Sequence, residues 1–178
     1  DVALLVLDAT ELITAQDGHI ASYIQQAVKG IVLVVNKWDL AVAESQTEGT
    51  AYIRNRLKFI AYSPVLYISA KLGLGVDGVV PQVLKIFKER LKRIPTTRVN
   101  NIVQQVVAAH SPPRSGNRRL KFLYSTQAEV NPPTFVFFVN DAKLMHFSYR
   151  RYLENRLRQA FGFAGTPLRL VFKTRGEQ

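Results

Sequence analysis

The hydrophobic pattern divides the chain into two stretches built on different rules. Residues 2–7 form a short apolar run, β-branched at Val2 and Val6, which predicts a strand covered on both faces. Thr14 and Asp17 have the spacing of a capping box, in which the hydroxyl accepts a first-turn amide and the carboxylate sits at the positive end of the helix dipole. Ile20, Tyr23, Ile24, Ala27 and Val28 then predict the buried face of a helix that Gly30 stops. A second apolar strand is predicted over 31–35, and a helix over about 47–60 with Tyr52, Ile53, Leu57 and Ile60 inward. After Pro64 comes a third strand, 65–68, and then a helix capped by Asp77 with Val79, Val80, Val83, Leu84, Phe87 and Leu91 inward. Strand and helix alternate three times, which is the sequence form of an α/β unit with a parallel sheet and helices on both faces.

Beyond residues 94–97 the pattern changes. Thr97 is read as the cap of a helix carrying Val99, Ile102, Val103, Val106 and Val107. Residues 111–117 form a Pro/Gly loop, after which Leu120, Phe122 and Tyr124 alternate with polar positions as in a half-exposed strand. Pro132 and Pro133 separate it from a strand over 134–139. Ser148 is read as the cap of a helix burying Tyr152, Leu153, Leu157 and Phe161 and ended by Gly162, and a last strand follows over 168–172. This half is α+β with a short, mostly antiparallel sheet, so the expected domains are 1–95 and 96–178.

Composition sharpens this division. Of 178 residues, 47% are hydrophobic and 21% charged, the balance of a packed chain rather than a disordered one. There is no cysteine, which removes disulfides, thiolate metal sites and cysteine nucleophiles and fits a reducing, intracellular setting. The run at 2–7 is far too short to span a membrane, and its opening at Asp1 without a lead-in reads as a fragment of a longer chain. The net charge of +11 is uneven, with +2 over residues 1–95 and +9 over 96–178. A basic excess confined to one domain points to a polyanionic partner.

In open α/β sheets, ligands bind beyond the carboxyl ends of the strands. After the second strand stands Asn36-Lys37-Trp38-Asp39, and after the third Ser69-Ala70-Lys71. The first resembles the Asn-Lys-x-Asp motif of guanine-nucleotide-binding proteins, and chemistry accounts for its residue types: the Asp39 carboxylate can accept from the ring N–H and the exocyclic amine of guanine, Asn36 can hold the loop, and the stem of Lys37 can cover the purine. Ser69-Ala70-Lys71 resembles the Ser-Ala-Lys loop of the same proteins, and the resemblance implies that the Ala70 N–H faces the guanine carbonyl and Lys71 the other face of the base. No Gly-Lys pair and no Asp-x-x-Gly occurs, so a phosphate-cradling loop and its magnesium partner are absent from this sequence. Phosphoryl transfer depends on those parts, and the chain by itself is expected not to hydrolyse GTP.

These motifs resemble the Der (EngA) family of tandem-GTPase ribosome-assembly factors, in its C-terminal part. Residues 1–10 resemble the strand after the switch region of the second GTPase domain, 36–40 its Asn-Lys-Trp-Asp-Leu and 69–71 its base loop. His110, Pro112, Pro113, Arg118, Lys121 and Tyr124, then Asn131-Pro132-Pro133-Thr134-Phe135, the run from Ser148 through Arg150 and Tyr152 to Asn155, and Gly165-Thr166-Pro167 resemble its KH-like domain. The resemblance implies a partial P-loop GTPase domain followed by a KH-like domain, GTP or GDP as ligand with Mg2+ in the full-length family, assembly of the large ribosomal subunit and its RNA as the task, further GTPase domains of the same protein as partners, and a cytoplasmic location.

KH domains usually grip RNA through a Gly-x-x-Gly loop between two helices. Gly75 with Gly78 and Gly162 with Gly165 have the spacing but stand elsewhere, and are expected to be turns or helix stops. The RNA signal is therefore electrostatic. Arg114, Arg118, Arg119 and Lys121 form the candidate cluster, while Arg150, Arg151, Arg156 and Arg158 divide evenly between phosphate contacts and ordinary helix pairs such as Glu154 with Arg158. Phe122, Tyr124, Phe135, Phe137 and Phe138 are read as strand packing, and His19, His110 and His146 have no metal or triad spacing. The rival reading is a non-enzymatic RNA- or protein-binding module that does not bind nucleotide.

Overall fold

A computed structural model describes residues 1–11, 13–41, 45–115 and 117–175. It divides into two compact units, Asp1–Arg90 with Ala164–Pro167, and Leu91–Phe163 with Leu168–Gln178.

The first unit contains β1 (Val2–Asp8), α1 (Ala15–Gln26), β2 (Gly30–Asn36), α2 (Gln46–Arg56), β3 (Val65–Tyr67) and α3 (Val79–Arg90). Its strands form a parallel sheet in the order β1-β2-β3, with Asp8 opposite Asn36 and Val35 opposite Tyr67. The unbroken apolar run of β2 follows from this central position. Ile31, Leu33 and Val35 pack with Leu5, Leu7, Ala21, Ile53, Leu57 and Ile60 on one face, while Val32 and Val34 meet Ile68 and Ile86 on the other.

The helices depart from expectation in instructive ways. The Thr14–Asp17 capping box is present, but α1 buries Ala21, and Ile20 and Tyr23 face solvent, because a small side chain lets this helix lie close to the sheet. The helix ends at Ala27, and Gly30 instead opens β2, where a Cβ would stand 2.8 Å from Ile86 Cγ2. α2 is capped by Ser45 and stops at Arg56, with a separate 3-10 turn at Lys58–Ile60. α3 begins after a 3-10 turn at Val76–Gly78 and buries Ile86 and Arg90, with Val79 and Val83 packed beside Ile86. Val80, Leu84 and Leu91, expected inside, are exposed. The helix carries two apolar stripes, and spacing alone does not say which one meets the sheet.

Residues Ala164–Pro167 complete this unit. Gly165 O accepts from Ile31 N–H at 2.7 Å, and Gly165 N–H donates to Tyr62 O at 2.9 Å. Arg90, a residue 1% exposed, donates through Nη1 to Val28 O and to Thr166 Oγ1, both at 2.9 Å, and its burial lowers its pKa.

The second unit contains α4 (Thr96–Ala109), β4 (Arg114–Ser115), β5 (Arg118–Arg119), β6 (Phe122–Val130), β7 (Pro133–Val139), α5 (Phe147–Phe161) and β8 (Arg169–Thr174). The sheet order is β6-β7-β8. β6 and β7 are antiparallel but β7 and β8 are parallel, so the sheet is mixed rather than mostly antiparallel, with α5 lying between the parallel strands in sequence. Val99, Val103, Val106, Phe135, Phe137, Val139, Leu153, Leu157 and Phe161 form the core. The N-cap of α4 is Pro95 rather than Thr97, and that of α5 is His146, whose side chain accepts from Ser148 N–H in the place predicted for Ser148 itself. Tyr149 is buried more fully than Tyr152.

The aromatic strand residues do not all pack inside. Phe122, Phe135 and Phe137 meet the core, but a register shift in β6 pairs Phe122 with Val139 and Tyr124 with Phe138. The extra residue, Leu123, turns Tyr124 to the face of the sheet away from the core.

Gly165 has φ +67°, and a Cβ there would lie 2.4 Å from Ile86 Cδ1 and 3.2 Å from Pro64 Cδ. Gly165→Ala should therefore lower stability by about 1–3 kcal/mol in a urea titration, through overpacking and left-handed backbone together. An unchanged midpoint would show that the loop adapts freely.

Candidate functional site

The parallel register brings Asp8, Asn36 and the residues after Tyr67 to one end of the sheet. Two hydrogen bonds then join the loops that leave β2 and β3. Asn36 Oδ1 accepts from Ala70 N–H at 3.0 Å, and Trp38 N–H donates to Ile68 O at 3.0 Å. The two motifs that stand 33 positions apart, beginning at Asn36 and Ser69, thus form one surface. The Ala70 N–H, expected to face a base, is donated to Asn36 in this structure.

Each motif residue has a distinct setting. Lys37 adopts a left-handed conformation with φ 61°, and its ammonium pairs with the Asp8 carboxylate. Asp39 is exposed in the 3-10 turn Trp38–Leu40. Trp38 rests on Tyr67 with ring centroids 4.4 Å apart. The Tyr67 hydroxyl donates to Gln46 O at 2.9 Å and bonds Thr50 Oγ1 at 2.8 Å, which ties the Asn-Lys-x-Asp turn to α2. Ser69 is buried, exchanging two backbone bonds with Leu74 while its Oγ accepts from Leu72 N–H at 3.3 Å. This small turn presents Lys71 to solvent.

Asp8 was missed by the sequence reading. Its signal was available, since it ends the first strand as Asn36 ends the second. It accepts from Lys37 Nζ, and from Thr10 Oγ1 at 2.7 Å and Thr10 N–H at 2.9 Å. Lys37 foremost, and Thr10 after it, hold its carboxyl at about 2, below the usual carboxylate range, and the same pair raises the pKa of Lys37.

In the second unit, Arg114 pairs with Arg119 and Ser115 with Arg118 in a two-stranded hairpin. Arg118 Nη2 lies 2.8 Å from Asp141 Oδ2, so part of its charge is already matched. Asn140 anchors the end of the hairpin: its Oδ1 accepts from Lys121 N–H at 2.8 Å and its Nδ2 donates to Arg119 O at 3.0 Å. All four cationic side chains, Arg114, Arg118, Arg119 and Lys121, are exposed. Of the helix arginines, Arg158 grips Glu154 through Nε and Nη2 and also donates to Phe163 O, a structural role. Arg150 reaches Leu170 O at 3.4 Å and Arg156 reaches Gln159 at 3.2 Å. Gly75 precedes a 3-10 turn and Gly162 caps α5, so these glycines serve as turn and stop.

Among the described residues there is no cluster of three or more His, Cys, Asp or Glu suited to a metal ion. The described helices include none long and apolar enough to cross a membrane.

Residues 93–173 match the family described as KH-domain-like of EngA bacterial GTPase enzymes, C-terminal. The second unit is therefore a KH-like domain of the EngA class. The chain is 49% identical to GTPase Der of Desulfitobacterium hafniense over all of its own length and 41% of that protein. It is 46% identical to GTPase Der of Chloroflexus aggregans and to that of Thermomicrobium roseum, over 98% of this chain in each case and 40% and 39% of theirs. The chain matches the C-terminal part of these GTPase Der proteins, and it spans about two fifths of their length.

The Asp8–Lys37 pair predicts a pH signature. A carboxylate whose pKa is lowered in the folded state stabilises above its unfolded value near 3.8 and loses that contribution as pH falls towards 2. Asp8→Asn should melt below the wild type at pH 6, with the gap closing between about pH 4 and pH 2. A gap of equal size at both ends would exclude the ion pair as its source.

Proposed function

We propose that the first unit recognises guanine in a GTP-binding ribosome-assembly factor, and that the KH-like unit contacts RNA of the large ribosomal subunit in the cytoplasm. The observation that carries the reading is the Asn36 Oδ1 to Ala70 N–H bond, which unites the Asn-Lys-x-Asp and Ser-Ala-Lys loops beyond the carboxyl ends of a parallel sheet. Asn36 and Ser69 act as the frame, and Lys37, Ala70 and Lys71 border the base. Asp39, exposed and charged, supplies the acceptor that distinguishes guanine from adenine.

A bound GTP would bring its own phosphates and magnesium chemistry. The described residues fit the base side of such a ligand and provide no cluster for the metal. The work of this chain is thus binding and orientation, and hydrolysis depends on the phosphate-binding part of a complete GTPase domain. Arg114, Arg118, Arg119 and Lys121 neutralise RNA phosphates without reading sequence, in keeping with the +9 balance of residues 96–178.

Three measurements test these roles separately. In a full-length Der chain carrying these residues, Asp39→Asn should shift preference from guanine to xanthine nucleotides, and unchanged preference removes Asp39 from base recognition. In the 178-residue chain, affinity for ribosomal RNA should fall steeply with salt, and the triple change of Arg118, Arg119 and Lys121 to Glu should flatten that slope. A melting temperature unmoved by GDP would favour the reading of a binding module without nucleotide.

A further inference from the structure

The face of the β6-β7-β8 sheet turned away from its core has a composition that packing does not explain. Alternation along β7 sends Phe135, Phe137 and Val139 into the core and leaves Val136 and Phe138 on the opposite face. On β8 the same alternation puts Leu170 and Phe172 inward and Arg169, Val171 and Lys173 outward. The bulge at Leu123 adds Tyr124 to this outer face, where the register sets Tyr124, Phe138 and Lys173 side by side across three strands. The Tyr124 and Phe138 rings lie 6.0 Å apart, and Tyr124 is 47% and Leu123 49% exposed.

Cations border this aromatic pair. Lys173 adjoins Phe138 directly, and Arg169 lies opposite Thr134 two register positions beyond Val136 and Val171. Lys121 precedes the bulge and is joined to Asn140 at the end of β7. Lys121, Arg169 and Lys173 are exposed and in no ion pair among the described residues. Of the carboxylates nearby, Glu129 accepts from Thr134 Oγ1 and Asp141 pairs with Arg118.

The geometry points to this open sheet face as a platform for single-stranded RNA, on which an unpaired base stacks on Tyr124 beside Phe138 while Lys121, Lys173 and Arg169 hold the flanking phosphates. The inference deepens the RNA-binding half of the proposed function and rests on it. A protein partner fits less well, because the cores of protein interfaces are depleted of lysine, whereas half-exposed aromatic rings bordered by basic side chains are the recurring form of a base-stacking surface. A bulge that takes an aromatic residue out of the core and gives it to this face carries the same sense, since bulges commonly re-aim a side chain at a working surface.

The test separates bases from phosphates. Binding to the 178-residue chain is measured by fluorescence anisotropy with a labelled oligouridylate of about ten nucleotides and with an abasic oligomer of equal phosphate number. Tyr124→Ala should weaken oligouridylate binding about tenfold and leave the abasic oligomer within about twofold, Tyr124→Phe should retain wild-type affinity for both, and Lys173→Glu should weaken both. Equal loss on both oligomers for Tyr124→Ala, or no loss on either, overturns the platform while leaving RNA binding through the basic cluster standing. Failure of the wild-type chain to bind either oligomer at low salt overturns the RNA reading itself.

Discussion

The burial of β2 on both faces is the constraint from which the first unit follows. A strand apolar at every position needs a partner along each edge and a layer on each side, and β1, β3 and the flanking helices supply them. Parallel pairing then makes the three strands end together, so polar residues that terminate them are gathered without any long-range attraction between the residues themselves. Asn36 turns this gathering into a fixed geometry. Its side chain accepts from a backbone N–H of the neighbouring loop, and a side-chain amide bonded in this way holds both the loop it leaves and the one it reaches.

The second unit solves a different problem. Its helices serve one side of the sheet, and the core residues of β7 and β8 all point that way. The other face stays open to solvent, and its chemistry is set by small local choices. One extra residue in β6 decides which ring is inside, and one amide side chain, Asn140, fixes the basic hairpin to the end of the sheet. The proposed RNA platform rests on strand alternation and a bulge rather than on the glycine loop from which KH domains usually act.

Much of this was legible in the sequence because it depends on short-range rules. The three apolar strands, the Thr14–Asp17 cap and the paired motifs after strands two and three are local statements, and the parallel register does the rest, although β1, expected to be covered on both faces, buries Leu5 and Leu7 and leaves Leu4 and Val6 exposed at the sheet edge. What escaped depends on choices that spacing leaves open. α3 has two apolar stripes, and Ile86 won over Leu84 through contacts with Val32 and Val34 that no helical period encodes. Tyr124 continues the alternation of Leu120 and Phe122 in the sequence, yet the bulge reverses its side. Asp8 was overlooked because its meaning comes from Lys37, which lies on another strand's loop. The caps at Pro95 and His146 show that a serine or threonine nearby is not enough when an earlier residue can begin the helix.

The Ala164–Pro167 loop has a consequence for the order of events during synthesis. Thr166 stands 76 positions after the Arg90 it accepts from, and Gly165 supplies the carbonyl for Ile31 at the start of the central strand. A chain emerging from its amino end presents the sheet long before this closing segment exists. The first unit reaches its final hydrogen bonding only after nearly all of the second has been synthesised, so its completion waits on a segment that comes late in the chain although each unit has its own core.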